Sequence, residues 1–135
     1  MYYLEEVMLT RKFETCQDCG VELRTEEEKG IQVLILKGEM VTGEGDVRLR
    51  EEVERLFNEG CLRIVVDFSQ VPYIDSSVLG QLVYGYSLMR ENGGNLKILS
   101  PSPRIKDLLD VTRLATVFDI FTDRTEAVES WSSES

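Results

Sequence analysis

Asp75-Ser76-Ser77 places one carboxylate and two hydroxyls in consecutive positions. Side chains of this kind accept hydrogen bonds from the free N–H groups that open a helix, and such a cap is worth about 1 kcal/mol. A cap needs one residue, so this run leaves a hydroxyl over. Such a surplus hydroxyl is either simply solvated or left for another role, and the capping pattern alone does not choose between them. A second candidate pair, Cys16 and Cys19, has the spacing of half a zinc site or of a redox dithiol. Structural zinc normally takes four ligands, and the chain holds no histidine and only one further cysteine, Cys61. Incidental thiols are the simpler reading, with intermolecular metal binding or a redox role as the alternative; no metal or cofactor is assigned. The lack of histidine also excludes a Ser-His-Asp triad. Asp75 is poorly placed as a base for its neighbour, because adjacent side chains at a helix start diverge. Nothing fixes Lys97 or Lys106 at the serines, so no catalytic residue is assigned and the chain is not expected to be an enzyme.

The elements around Asp75 must make it a junction. Residues 61–68 form a β-branched run of the kind found in a strand covered on both faces. After the junction, Val78, Leu79, Leu82, Val83, Tyr86 and Met89 recur at the spacing of one helix face, and Asn92-Gly93-Gly94 is a stop signal. Upstream, a hairpin is expected: a strand over residues 21–25, an acidic turn ending at Gly30, then Ile31, Val33 and Ile35 alternating in a second strand. Gly43 and Gly45 resemble a phosphate loop only superficially, since the lysine and hydroxyl of such a loop are missing. Asp46 reads as the N-cap of a helix with Val47, Leu49, Val53, Leu56 and Phe57 on one face, closed by Glu59-Gly60.

Downstream, residues 95–99 read as a strand, Ser102-Pro103 as a helix cap and first turn, and residues 116–121 as a short last strand. Thr122 or Asp123 caps a final helix reaching Trp131. Strands alternating with helices after an opening hairpin imply an α/β fold with a mixed, mostly parallel sheet. The expected organisation is an N-terminal extension over residues 1–18, one domain over 19–131 and a frayed tail over 132–135. Tyr84, Tyr86 and Trp131 are expected in the core or half-buried, and the acidic runs Glu26-Glu27-Glu28 and Glu51-Glu52 on solvated faces.

With 135 residues the chain is long enough for one core. Its 15 Lys and Arg against 25 Asp and Glu give a net charge of −10, which argues against nucleic acid or an anionic membrane as a partner. No apolar run approaches the roughly 20 residues that span a bilayer, and no basic-then-apolar leader opens the chain, so a cytoplasmic protein is expected.

Gly38-Glu39-Met40 after the second strand, Asp67-Phe68-Ser69-Gln70-Val71, Tyr73-Ile74-Asp75-Ser76-Ser77 with Leu79-Gly80, Gly93-Gly94 and Val117-Phe118, in this order of elements, resemble a STAS domain. More narrowly, the chain is similar to the bacterial anti-sigma factor antagonists over about residues 20–130. The resemblance implies a STAS fold of about five strands with about four helices packed mainly on one face. It also implies a switch in which the antagonist binds an anti-sigma factor that is a serine kinase, freeing a sigma factor for transcription until phosphorylation ends the binding. Carried over, the phosphoacceptor falls on Ser76, with Asp75 before it and Ser77 beside it. A serine phosphatase acting on the phosphorylated form is a further implied partner. Asp75, Ser76, Ser77 and Val78, together with Gly43 and Asp46 from the preceding loop, form the implied partner surface. Val78 stands where the family usually has glycine, which leaves a non-switching STAS interaction module in a sensory assembly as the alternative.

Overall fold

The computed structural model of the chain describes residues 13–16, 21–38 and 45–131. Among the described residues six strands form one sheet in sequential order: β1 Phe13–Cys16, β2 Val21–Glu28, β3 Ile31–Lys37, β4 Arg63–Gln70, β5 Asn95–Leu99 and β6 Ile120–Phe121. The first three pair antiparallel, and β3 through β6 run parallel. Helices α1 (Gly45–Asn58), α2 (Ser76–Glu91), α3 (Pro103–Val111) and α4 (Arg124–Glu129) supply or follow the crossovers. The mixed, mostly parallel sheet with four helices is the architecture expected. The sixth strand is β1, drawn from the N-terminal extension and invisible to a periodicity reading because four residues carry no pattern of their own.

The main core lies on one face, where Leu34, Leu36, Ile64, Val66, Phe68, Leu96 and Ile98 meet Leu49, Val53 and Leu56 of α1, Val78, Leu82 and Met89 of α2, and Ile105 and Leu109 of α3. Each helix offers its apolar residues three, four or seven positions apart, the spacings of one helix face. The opposite face is smaller: Ala127 and Val128 of α4 cover Ile31, Val33, Ile35, Val65 and Leu99. Of the described helices, three therefore pack on one face and one on the other.

Several local expectations are corrected. The acidic run is strand, not turn, because β2 continues to Glu28 and a two-residue turn suffices, with Lys29 (φ 55°) and Gly30 (φ 82°) both left-handed as a tight hairpin turn requires. Glu26 and Glu28 are not merely solvated: they pair with Arg124 at 3.0 and 2.8 Å. Glu52 is buried, accepting from the Thr25 hydroxyl at 2.6 Å and pairing with Arg55. Residues 116–121 do not make one strand. A 3₁₀ turn spans Leu114–Thr116, and Phe118 plugs the main core edge-on against Tyr86 at 5.2 Å, which leaves only Ile120–Phe121 to pair with β5. Val47 and Tyr84 lie on the surface, and the Tyr84 hydroxyl donates to Glu54 at 2.8 Å. Gly94 follows α2 as the stop signal foretold, and its lack of a side chain is obligatory, since a Cβ there would sit 1.9 Å from the Leu62 carbonyl oxygen. No described helix is long and apolar enough to cross a membrane.

Candidate functional site

The carboxyl ends of the parallel strands carry the junction, the usual location of binding surfaces in open α/β sheets. Leaving β4, the chain turns with Val71 N–H donating to the Phe68 carbonyl at 3.0 Å, then buries Val71 and Ile74 so that the residues around them are held in place. Asp75 follows in extended conformation (φ −104°, ψ −178°), the geometry of an N-cap. Its Oδ1 accepts from the Ser77 and Val78 N–H groups, each at 3.1 Å. Asp75 alone therefore caps α2, a negative group at the positive end of the helix dipole.

Ser77 takes no part in that cap through its side chain. Its hydroxyl instead donates to Asp46 Oδ2 at 2.7 Å, joining the start of α2 to the start of α1. Asp46 is correspondingly not the isolated N-cap expected. It lies within the first turn of α1, with Oδ1 accepting from the Val47 N–H at 2.8 Å and its other oxygen turned to α2. Ser76, between these engaged neighbours, is exposed on the first turn of α2, and its hydroxyl has no hydrogen-bond partner among the described residues.

The structure thus unites Asp46, Asp75, Ser76 and Ser77 at one edge. Val78 does not belong to that surface: it is 0% exposed and packs in the main core, because the cap turns the helix so that the third residue after Asp75 faces inward. Gly43, the remaining expected contact, lies outside the described residues. Of the cysteines, Cys16 ends β1 opposite Val21, Cys19 lies outside the described residues, and Cys61 is a half-buried free thiol just before β4. Burial, reinforced by Glu59 and Glu27, pushes the Cys61 thiol above its ordinary range.

Two residues of this edge escaped the sequence reading. Tyr73 is 37% exposed beside the cap, and the Arg104 guanidinium lies 4.5 Å from its ring centroid. The Ser102-Pro103 cap signal locates Arg104 on the first turn of α3 but says nothing of which loop that turn abuts. Ser102 Oγ provides that link by donating to the Pro72 carbonyl at 2.9 Å.

Comparisons agree with this architecture. An anti-sigma F factor antagonist of Paenibacillus polymyxa is 24% identical over 109 residues, 81% of this chain and 93% of that protein. An anti-sigma-B factor antagonist of Bacillus subtilis is 36% identical over 85 residues, 59% of this chain and 76% of that protein. The fold matches the anti-sigma factor antagonist SpoIIAA in its unphosphorylated form with TM-score 0.72 at 18% identity, covering 84% of this chain and 98% of that one. Bacillus SpoIIAA in the phosphorylated form matches with TM-score 0.66 at 19% identity, covering 80% and 97%. Residues 22–127 match the STAS domain itself, and the chain belongs to the STAS domain family.

Proposed function

We propose that this protein is an anti-sigma factor antagonist that binds an anti-sigma factor serine kinase and is switched off by phosphorylation of Ser76, so regulating sigma-factor-dependent transcription in the bacterial cytoplasm. The observation that carries this reading is the exposed, unpartnered Ser76 hydroxyl between Asp75, engaged as the cap, and Ser77, engaged with Asp46. Relatives named as anti-sigma factor antagonists, and SpoIIAA solved with and without phosphate, support it.

In the transfer, Ser76 Oγ forms the new bond to the γ-phosphorus of ATP, the bond from that phosphorus to the bridging oxygen breaks, ADP leaves, and the serine proton passes to a base of the kinase. The product carries about −1.5 to −2 charges at the start of α2, where the helix dipole tolerates them. The fold is therefore unaffected, whereas a partner surface shaped around a neutral hydroxyl meets a desolvated dianion beside Asp75 and releases the chain. A serine phosphatase returns the hydroxyl by hydrolysis. Val78 supports the switching reading over a non-switching module, because its branched side chain lies in the core and leaves the rim to Ser76 and its polar neighbours. Incubation with the cognate kinase and ATP, followed by peptide mass spectrometry, should place one phosphate on Ser76 and none on the Ser76→Ala protein. Phosphate elsewhere, or none, overturns the assignment.

A further inference from the structure

We infer that Tyr73 and Arg104 form the second half of the partner surface and receive an acidic segment of the same anti-sigma factor kinase; this rests on the reading of Ser76 above. Tyr73 stands between buried Val71 and buried Ile74, so its exposed ring is held at a fixed place beside the Asp75 cap. Arg104 stacks on that ring at 4.5 Å, within cation–π range. The two belong to one unit, because Ser102 Oγ donates to the Pro72 carbonyl at 2.9 Å and accepts from the Ile105 N–H at 3.3 Å. The starts of α2 and α3 are thereby fixed side by side.

The charge placement does not serve the fold. A helix start is the positive end of its dipole and favours acidic side chains, yet α3 has none in its first turn and carries Arg104 and Lys106 instead. Arg104 is exposed and has no carboxylate partner among the described residues. The guanidinium lies over the ring and makes no hydrogen bond to a described residue, which leaves its N–H groups available for a carboxylate. In a chain of net charge −10, this turn carries Arg104 and Lys106 without an acidic residue among its first four positions, a charge that attracts an acidic segment. Tyrosine and arginine are also the residue types that concentrate binding energy at interfaces.

The test uses the full chain and its cognate kinase, identified by capture on the wild-type protein, purified, and titrated by calorimetry. Arg104→Glu should weaken binding about 30-fold and Tyr73→Ala about 10-fold. The Arg104→Glu protein should melt no lower than wild type, since an acidic residue suits the helix start. The salt dependence of binding should also be shallower for Arg104→Glu than for wild type. Wild-type affinity in Arg104→Glu, alongside weak binding of Ser76→Asp, overturns this inference alone. Wild-type affinity in Ser76→Asp overturns the reading on which it rests.

Discussion

Ser76 and Lys97 are both polar side chains, and they have opposite fates. Ser76 lies on the surface with no hydrogen-bond partner for its hydroxyl among the described residues, while Asp75 and Ser77 on either side of it are engaged. Lys97, on the face covered by α4, is 0% exposed. Its Nζ lies 4.1 Å from the Trp131 ring centroid and 5.8 Å from that of Phe121, donates to Ser130 Oγ at 2.7 Å and stands 3.9 Å from Asp119. A buried cation is costly unless such partners replace its water, so these contacts lock α4 to the sheet. Arg124 adds ion pairs to Glu26 and Glu28 at the start of that helix. Burial, rather than polarity, separates the two: interactions completed inside the molecule hold the fold, and those left incomplete at its surface are the ones the proposed partner would use.

The contrast can be broken at either end. Ser76→Asp and Ser76→Glu should lower affinity for the kinase about 1,000-fold, equivalent to about 4 kcal/mol, while leaving the melting temperature nearly unchanged. Calorimetry giving the wild-type affinity would remove Ser76 from the partner surface. Lys97→Ala should do the reverse, costing about 2–4 kcal/mol in urea unfolding with a shift in Trp131 emission, and leaving affinity intact. Lys97→Met, which keeps the stem and offers sulfur to the rings, should recover most of that loss. If instead Lys97→Ala impaired binding at unaltered stability, the two roles would be exchanged.

Smaller effects sharpen the comparison. Asp75→Ala should cost about 1 kcal/mol of stability through the lost cap. Ser77→Ala should cost about as much or less, by breaking one hydrogen bond between α1 and α2. Cys61 tests an intermediate burial. Its folded-state thiol titrates above the ordinary value of 9.0, so the neutral thiol is the form the fold favours. That contribution is fully present below the unfolded value and is lost as pH rises through the folded one. In a protein carrying Cys16→Ser and Cys19→Ser, alkylation of Cys61 should require higher pH than a free thiol, and Cys61→Ser should flatten the fall in stability at alkaline pH. Alkylation at the rate of a free thiol would show the site to be open.

Features written in adjacent residues were legible. Ser102 caps α3 ahead of Pro103, Asp123 caps α4, and Gly60 and Gly93 take positive φ just after their helices, all through bonds or turns spanning a few residues. Features made by distant partners were not. The acidic run of β2 reads as a solvated turn until Arg124, 96 residues from Glu28, is brought against it. Glu52 reads as surface until Thr25 and Arg55 satisfy it in a buried position. Tyr73 and Arg104 meet only because β4 and β5 are neighbours in the sheet.

The same division runs through the site. By itself the sequence determined that a helix begins just after Asp75 and that the run holds more hydroxyls than its cap needs, because capping is settled within three or four residues. Only the tertiary structure decided which of them is left without a partner among the described residues. Asp46, 31 residues away, reaches across from α1 to engage Ser77, and the packing of α2 on the sheet turns Val78 inward and Ser76 outward. A hydrogen bond between two helix starts depends on how their helices pack together, and no local pattern of residues encodes it.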